Sequence, residues 1–235
     1  ISIKDPCIGR YFMTKALNLI QALFLVALAG FAAASEESLV LGDGVSLKVL
    51  YFAPENTQQA PPLAMLIPGG SSNEFMARAQ FWLGKEFVER GWAIAIPISP
   101  DGIRFSEHSA DVFPRIIEYL HQAHRLRNGK PLLVGISGGG SAALEIALNN
   151  PDEFSGVVAT PGRVKPESTP KALQGLPVYL RVGEKDDFLW NRTMDPQAEM
   201  MRAAGAKVDA ALVPDARHIF RLDWEGLEVW LKQTR

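Results

Sequence analysis

Cysteine is all but missing from this chain: Cys7 is the only one in 235 residues. A disulfide framework is therefore excluded, and stability must come from an apolar core. An excess of one charge is also missing. The 24 basic and 26 acidic residues give a net charge of -2 and a pI near 6.1, so there is no basic footprint for nucleic acid. Repeats, low-complexity tracts and long charge runs are absent, and only four histidines occur. What remains is an ordinary globular composition, 47% hydrophobic and 21% charged, which argues against disorder. The length suits one domain with a full core rather than two.

The N-terminus reads differently from the rest. Met13-Thr14-Lys15 precedes an apolar stretch from Ala16 to Ala34, interrupted only by Asn18 and Gln21 and closing on Ala32-Ala33-Ala34 before Ser35-Glu36-Glu37. A charged start, an apolar middle and a small-residue end describe a secretory signal peptide. The expectation is cleavage after Ala34, a single domain over residues 35–235, and export to the periplasm or medium without a membrane anchor; the alternative is an uncleaved membrane anchor, since the run is almost long enough to span a bilayer. Met13 reads as the natural start, with residues 1–12 an upstream extension. Removing residues 1–34 also removes Cys7, which leaves no thiol and no site for lipid attachment after the apolar stretch.

From Ser46 onward, short apolar runs alternate with longer helical patterns. The runs are Ser46–Phe52, Leu63–Ile67, Trp92–Ile98, Pro131–Ile136, Gly156–Thr160, Val178–Val182 and Val208–Val213. Several are apolar throughout, as strands buried on both faces of a parallel sheet must be. Helical periodicity predicts helices over Phe75–Arg90, Ala110–Leu126, Gly138–Asn149, Pro196–Ala204 and Phe220–Lys232. The alternation predicts one three-layer α/β domain with right-handed crossovers. The Thr160–Pro177 connection, with Pro161, Pro166 and Pro170, is too short for a lid domain.

Gly135-Ile136-Ser137-Gly138-Gly139 matches G-x-S-x-G where an apolar strand ends and a helix begins. A strained strand-to-helix turn of this kind presents its serine as a nucleophile, with glycines allowing close backbone approach. The helix N-terminus behind the serine favours developing negative charge. Two other glycine-rich readings fail. A dinucleotide fingerprint wants the first βα unit and a later acidic residue, whereas here the unit is central and the next strand ends Ala159-Thr160-Pro161. A phosphate-binding Walker loop wants Lys-Ser/Thr after the glycines, and none follows.

A nucleophilic serine needs a base, and the base an orienting acid. His218 is the only histidine downstream of Ser137, in a loop before the last helix. His108, His121 and His124 read as solvated residues of the second helix or its approach; His121 and His124 have half of a metal-site spacing without partners. The acid candidates are Asp186 and Asp187, in the loop after Val178–Val182, near the sheet edge where ligands bind in open α/β sheets.

These motifs resemble the α/β-hydrolase superfamily. The resemblance spans roughly Leu47 to Leu231 and rests, in order, on Ile67-Pro68-Gly69-Gly70-Ser71, the turn at Ser137, Gly-x-x-Asp at Gly183–Asp186 and the loop around His218. It implies a three-layer sandwich with a mostly parallel central sheet, helices on both faces and no large lid. It favours Asp186 over Asp187 as the acid, and places oxyanion donors at the backbone N–H of Gly70 or Ser71 and of Gly138. Pro68 stands where the family commonly has histidine, which leaves Gly70 and Ser71 open as alternatives. Small secreted esterases, of feruloyl-esterase, acetylxylan-esterase or polyhydroxyalkanoate-depolymerase type, are the nearest in flavour; dienelactone-hydrolase-like enzymes are similar in size but typically carry cysteine as nucleophile. The implied chemistry is hydrolysis of a small-molecule ester through an acyl-enzyme, with no metal or organic cofactor. A peptidase or thioesterase on the same fold, and a binding protein that has kept the fold, are the alternatives.

Overall fold

The structure is a computed structural model that describes residues 34–40, 44, 46–55, 57–70, 73–99, 105, 109–165 and 172–233. The chain divides into two units, Ile1–Ala32 and Ala33–Arg235. The first lies outside the described residues, and with it Cys7, Met13 and most of the expected signal segment; Ser71 and His108 lie outside as well. Among the described residues no helix is long and apolar enough to cross a membrane.

Eight strands form one sheet: β1 (Ala34–Val40), β2 (Ser46–Phe52), β3 (Leu63–Ile67), β4 (Ala93–Ile98), β5 (Leu132–Gly135), β6 (Gly156–Ala159), β7 (Pro177–Gly183) and β8 (Lys207–Val213). Their spatial order is β1-β2-β4-β3-β5-β6-β7-β8. The β1–β2 and β2–β4 pairs are antiparallel and the other five are parallel. The helices are α1 (Glu74–Ala79), α2 (Phe81–Glu89), α3 (Ser109–Ala123), α4 (Gly138–Asn149), α5 (Met194–Ala203) and α6 (Trp224–Gln233).

The central strands are apolar throughout because both faces are covered. On β3, Leu63, Met65 and Ile67 join the core beneath α3, α4 and α5, with Phe113, Ile116, Leu144 and Met201. Ala64 and Leu66 face the other way, toward α1, α2 and α6, with Ala77, Phe87, Leu227 and Trp230. This alternation is the physical content of the three-layer sandwich.

Two features differ from the sequence expectation. Strand β1 was not expected: Ala-Ser-Glu-Glu-Ser-Leu-Val has no apolar run, and its residues are exposed or half-buried along a sheet edge. It forms through seven residue pairs with β2, from Ala34 opposite Phe52 to Val40 opposite Ser46. The single helix expected over Phe75–Arg90 is two, interrupted at Gln80, whose backbone leaves the helical region at φ -101° and ψ 7°.

Candidate active site

Ser137 follows β5 and precedes α4 with φ 56° and ψ -123°. Any residue with a Cβ is strained at positive φ, and such strain persists only where the surroundings over-determine it. Here they do. The Ser137 N–H donates to the Pro161 carbonyl at 2.9 Å, Gly139 N–H to Ile136 at 2.8 Å, and Thr160 N–H to Gly135 at 3.0 Å. Glycine is required on both sides. A Cβ on Gly135 would lie 2.3 Å from the Gly139 carbonyl oxygen, and one on Gly139 would lie 2.1 Å from that of Ile67. Backbone packed directly on backbone thus holds the serine up at the end of the sheet.

Two loops, after β7 and β8, meet it. Ser137 Oγ lies 2.8 Å from His218 Nε2, and His218 Nδ1 lies 2.8 Å from Asp186 Oδ2. His218 is 7% and Asp186 3% exposed, so the carboxylate must find its partners inside the protein. Its Oδ1 accepts from the Phe188 N–H at 2.8 Å and, longer, from the Trp190 N–H at 3.4 Å. Both N–H groups reach one oxygen because Leu189, between them, takes a left-handed conformation at φ 60°. Phe188 and Trp190 in turn flank the imidazole, with ring centroids 4.5 and 4.9 Å from it and steep interplanar angles.

Asp187 points elsewhere. It forms a two-pronged pair with Arg217, at 2.5 to 3.1 Å, and the guanidinium hydrogen bonds hold its carboxyl below the ordinary value. The adjacent acids therefore do different things: Asp186 meets the imidazole, and Asp187 ties its own loop to the residue before His218. Further stitches join the two loops. Lys185 N–H donates to Ala216 at 2.8 Å, Asp215 N–H to Glu184 Oε2 at 2.9 Å, and Lys185 Nζ lies 2.6 Å from Asp215. Gly183 makes room for this seam, since a Cβ there would lie 2.0 Å from the Arg217 carbonyl oxygen.

Of the residues expected to offer oxyanion donors, Gly70 and Gly138 lie side by side: a Cβ on Gly138 would be 3.3 Å from the Gly70 nitrogen. Gly70 has φ 67°, accessible to glycine at little cost. Sequence reasoning missed Gln80. Its Oε1 accepts the Gly69 N–H at 2.6 Å, which holds the Pro68–Gly69 peptide, one residue ahead of Gly70. No local signal marks this residue, because the contact joins a helix break to a distant loop.

His124 corrects an expectation. It is not a solvated helix residue. Its ring stacks on Tyr51 at 3.6 Å, and Nε2 lies 2.7 Å from Glu37 Oε1. Glu37 belongs to β1, the strand that was not foreseen. Among the described residues no three side chains gather as metal ligands.

No curated protein matches the chain. Solved structures match its fold. An esterase of Pyrococcus furiosus is 13% identical with a TM-score of 0.69, over 86% of this chain and 93% of that one. An esterase of Thermogutta terrifontis is 18% identical with a TM-score of 0.61, over 86% and 90%. An S-formylglutathione hydrolase of Staphylococcus aureus is 16% identical with a TM-score of 0.61, over 88% and 98%. The family model for the dienelactone hydrolase family matches residues 103–227, a span that contains Ser137, Asp186 and His218. That span exceeds half of the sequence, and the chain accordingly belongs to the dienelactone hydrolase family of α/β-hydrolases.

Proposed function

We propose that this protein hydrolyses carboxylic esters through an acyl-enzyme on Ser137. The observation that carries the reading is the unbroken relay Ser137–His218–Asp186, at 2.8 Å for each link, behind a serine held at positive φ. His218 Nε2 takes the proton as Ser137 Oγ bonds to the ester carbon. It returns that proton to the leaving alcohol when the carbon–oxygen bond breaks. Asp186 holds Nδ1–H, fixing the tautomer and stabilising the imidazolium. The N–H of Gly138, with that of Gly70 or Ser71, receives the charge on the carbonyl oxygen; losing one such donor typically costs roughly 100–1,000-fold in kcat. Water, activated by the same histidine, then releases the acid.

The structural neighbours, among them esterases and an S-formylglutathione hydrolase, support a test on esters and thioesters together. The test is labelling by a fluorophosphonate, with mass spectrometry to locate the adduct, followed by a panel of esters, thioesters and peptides. A labelled Ser137 and turnover of esters are expected. No labelling of the folded protein would favour a binding role; turnover confined to thioesters or peptides would reassign the leaving group.

Export belongs to the same reading. The composition of residues 13–34 supports a cleavable leader, and cleavage after Ala34 would leave all but the first residue of β1 in the mature domain. N-terminal sequencing of exported protein is expected to begin at or near Ser35; a mature form that keeps the apolar segment in a membrane would overturn this.

A further inference from the structure

Four of the large hydrophobic side chains that the fold leaves exposed belong to the segments that build the proposed site: Phe75 is 75% exposed, Phe188 65%, Ile219 57% and Leu189 51%. Exposed apolar surface beside a reactive centre points to a binding surface. The members divide by position. Phe75 precedes Met76, which packs on Gly70, on the side where the carbonyl oxygen would lie. Phe188 and Ile219 belong to the histidine side. Ile219 follows His218 in the chain, and the Phe188 ring lies 4.5 Å from the imidazole.

Chemistry assigns the histidine side to one half of the ester. To collect its proton, the leaving oxygen must come within about 2.6–3.2 Å of His218 Nε2. The atoms bonded beyond that oxygen are then the ones brought against whatever surrounds the imidazole. Trp190 is fixed by core packing and carries Arg163 over its ring at 5.4 Å. Phe188 is the free face. The nearby charges of Asp187 and Arg217 are turned onto each other, so they offer a polar alcohol little.

We propose that Phe188, with Ile219, forms a leaving-group subsite that selects esters of apolar, preferably aromatic, alcohols. A flat ring laid against Phe188 would remove apolar surface from water on both partners, and aromatic pairs gain further from edge-to-face or offset contact. The inference rests on the acyl-enzyme reading, since only a proton-donating histidine defines which side the alcohol occupies.

The experiment compares benzyl acetate with 2-methoxyethyl acetate, whose alcohols have similar acidity. Both give the same acetyl-enzyme, so kcat/KM isolates acylation. The wild type is expected to favour the benzyl ester about tenfold. Phe188→Ala should bring that ratio close to 1 and Phe188→Trp should keep it. The preference between acetate and butyrate esters of one alcohol should not move. Ile219→Ala should lower the benzyl preference in the same direction, though less. Equal rates for the two esters in the wild type, or a Phe188→Ala variant that shifts acyl preference instead, would overturn the subsite while leaving the hydrolase reading intact. Failure of the wild type to hydrolyse any ester would overturn both.

Discussion

At the scale of single residues, the adjacent acids give the sharpest test. Asp186 lies beneath the imidazole with its oxygens shared between His218 and backbone N–H groups, while Asp187 faces Arg217. Asp186→Asn should lower kcat on the order of 10,000-fold, the effect of the comparable change in a serine protease, because the amide favours the wrong tautomer. Asp187→Asn should stay within a few-fold of wild type, since an exposed ion pair contributes little. Steady-state kinetics on the two variants checks both; a crippled Asp187→Asn beside an active Asp186→Asn would exchange their roles. Gln80 offers a second test. Replacing it by Met keeps length but removes the acceptor for the Gly69 N–H, which frees the Pro68–Gly69 peptide and loosens the turn that leads into Gly70. The expected result is a fall in kcat of about 10-fold with KM nearly unchanged, below the 100–1,000-fold cost of deleting a donor outright. A change in KM alone would show that Gln80 only shapes the ground-state site.

Among the elements, the strand-turn-helix at Ser137 is built from backbone contacts that cannot yield. Gly139→Ala would put a methyl group 2.1 Å from the Ile67 carbonyl oxygen. It should cost at least about 1–3 kcal/mol, the range for overpacking a filled interior, and thermal unfolding should show a clearly lowered Tm. This element was legible in the sequence, because crowding of that kind demands glycine at fixed spacing beside an apolar strand. Strand β1 was not legible. Its sequence carries no apolar period, and its place is set by pairing with β2 and by the Glu37–His124 contact, both of which exist only in the fold. The break at Gln80 escaped for a similar reason: the flanking residues keep helical periodicity across it. Beneath β1, burial pushes the Tyr51 phenol up to about 12, with the Glu37 charge adding to the effect. A raised value means that the folded state prefers the neutral phenol. Its contribution is complete below the unfolded value near 10 and is lost as pH rises toward 12. Chemical denaturation from pH 9 upward should show stability declining, with a shallower decline in Tyr51→Phe; identical slopes would mean that other groups set the alkaline limit.

For the whole molecule, the sandwich carries the site along one end of the sheet, where β3, β5, β7 and β8 all deliver their loops. The connection from Thr160 to Pro177 has no room for a cap domain, so a long acyl chain has little to cover it. Across C2 to C16 esters of one alcohol, kcat/KM should be highest for short chains; a clear rise toward C12–C16, or activation at lipid interfaces, would contradict an open site. Where the site residues stand in the sheet has a separate consequence. Ser137 rises from β5, with four neighbours on one side of it and three on the other, whereas Asp186 and His218 rise from β7 and β8, the last two strands at one border. Border strands fray at lower cost than central ones. Heating should therefore loosen β8, and with it the loop of His218, the proposed base, while the serine turn is still locked between its glycines. Catalysis would act as the molecule's most sensitive thermometer, going dark several degrees before circular dichroism records any loss of the sheet.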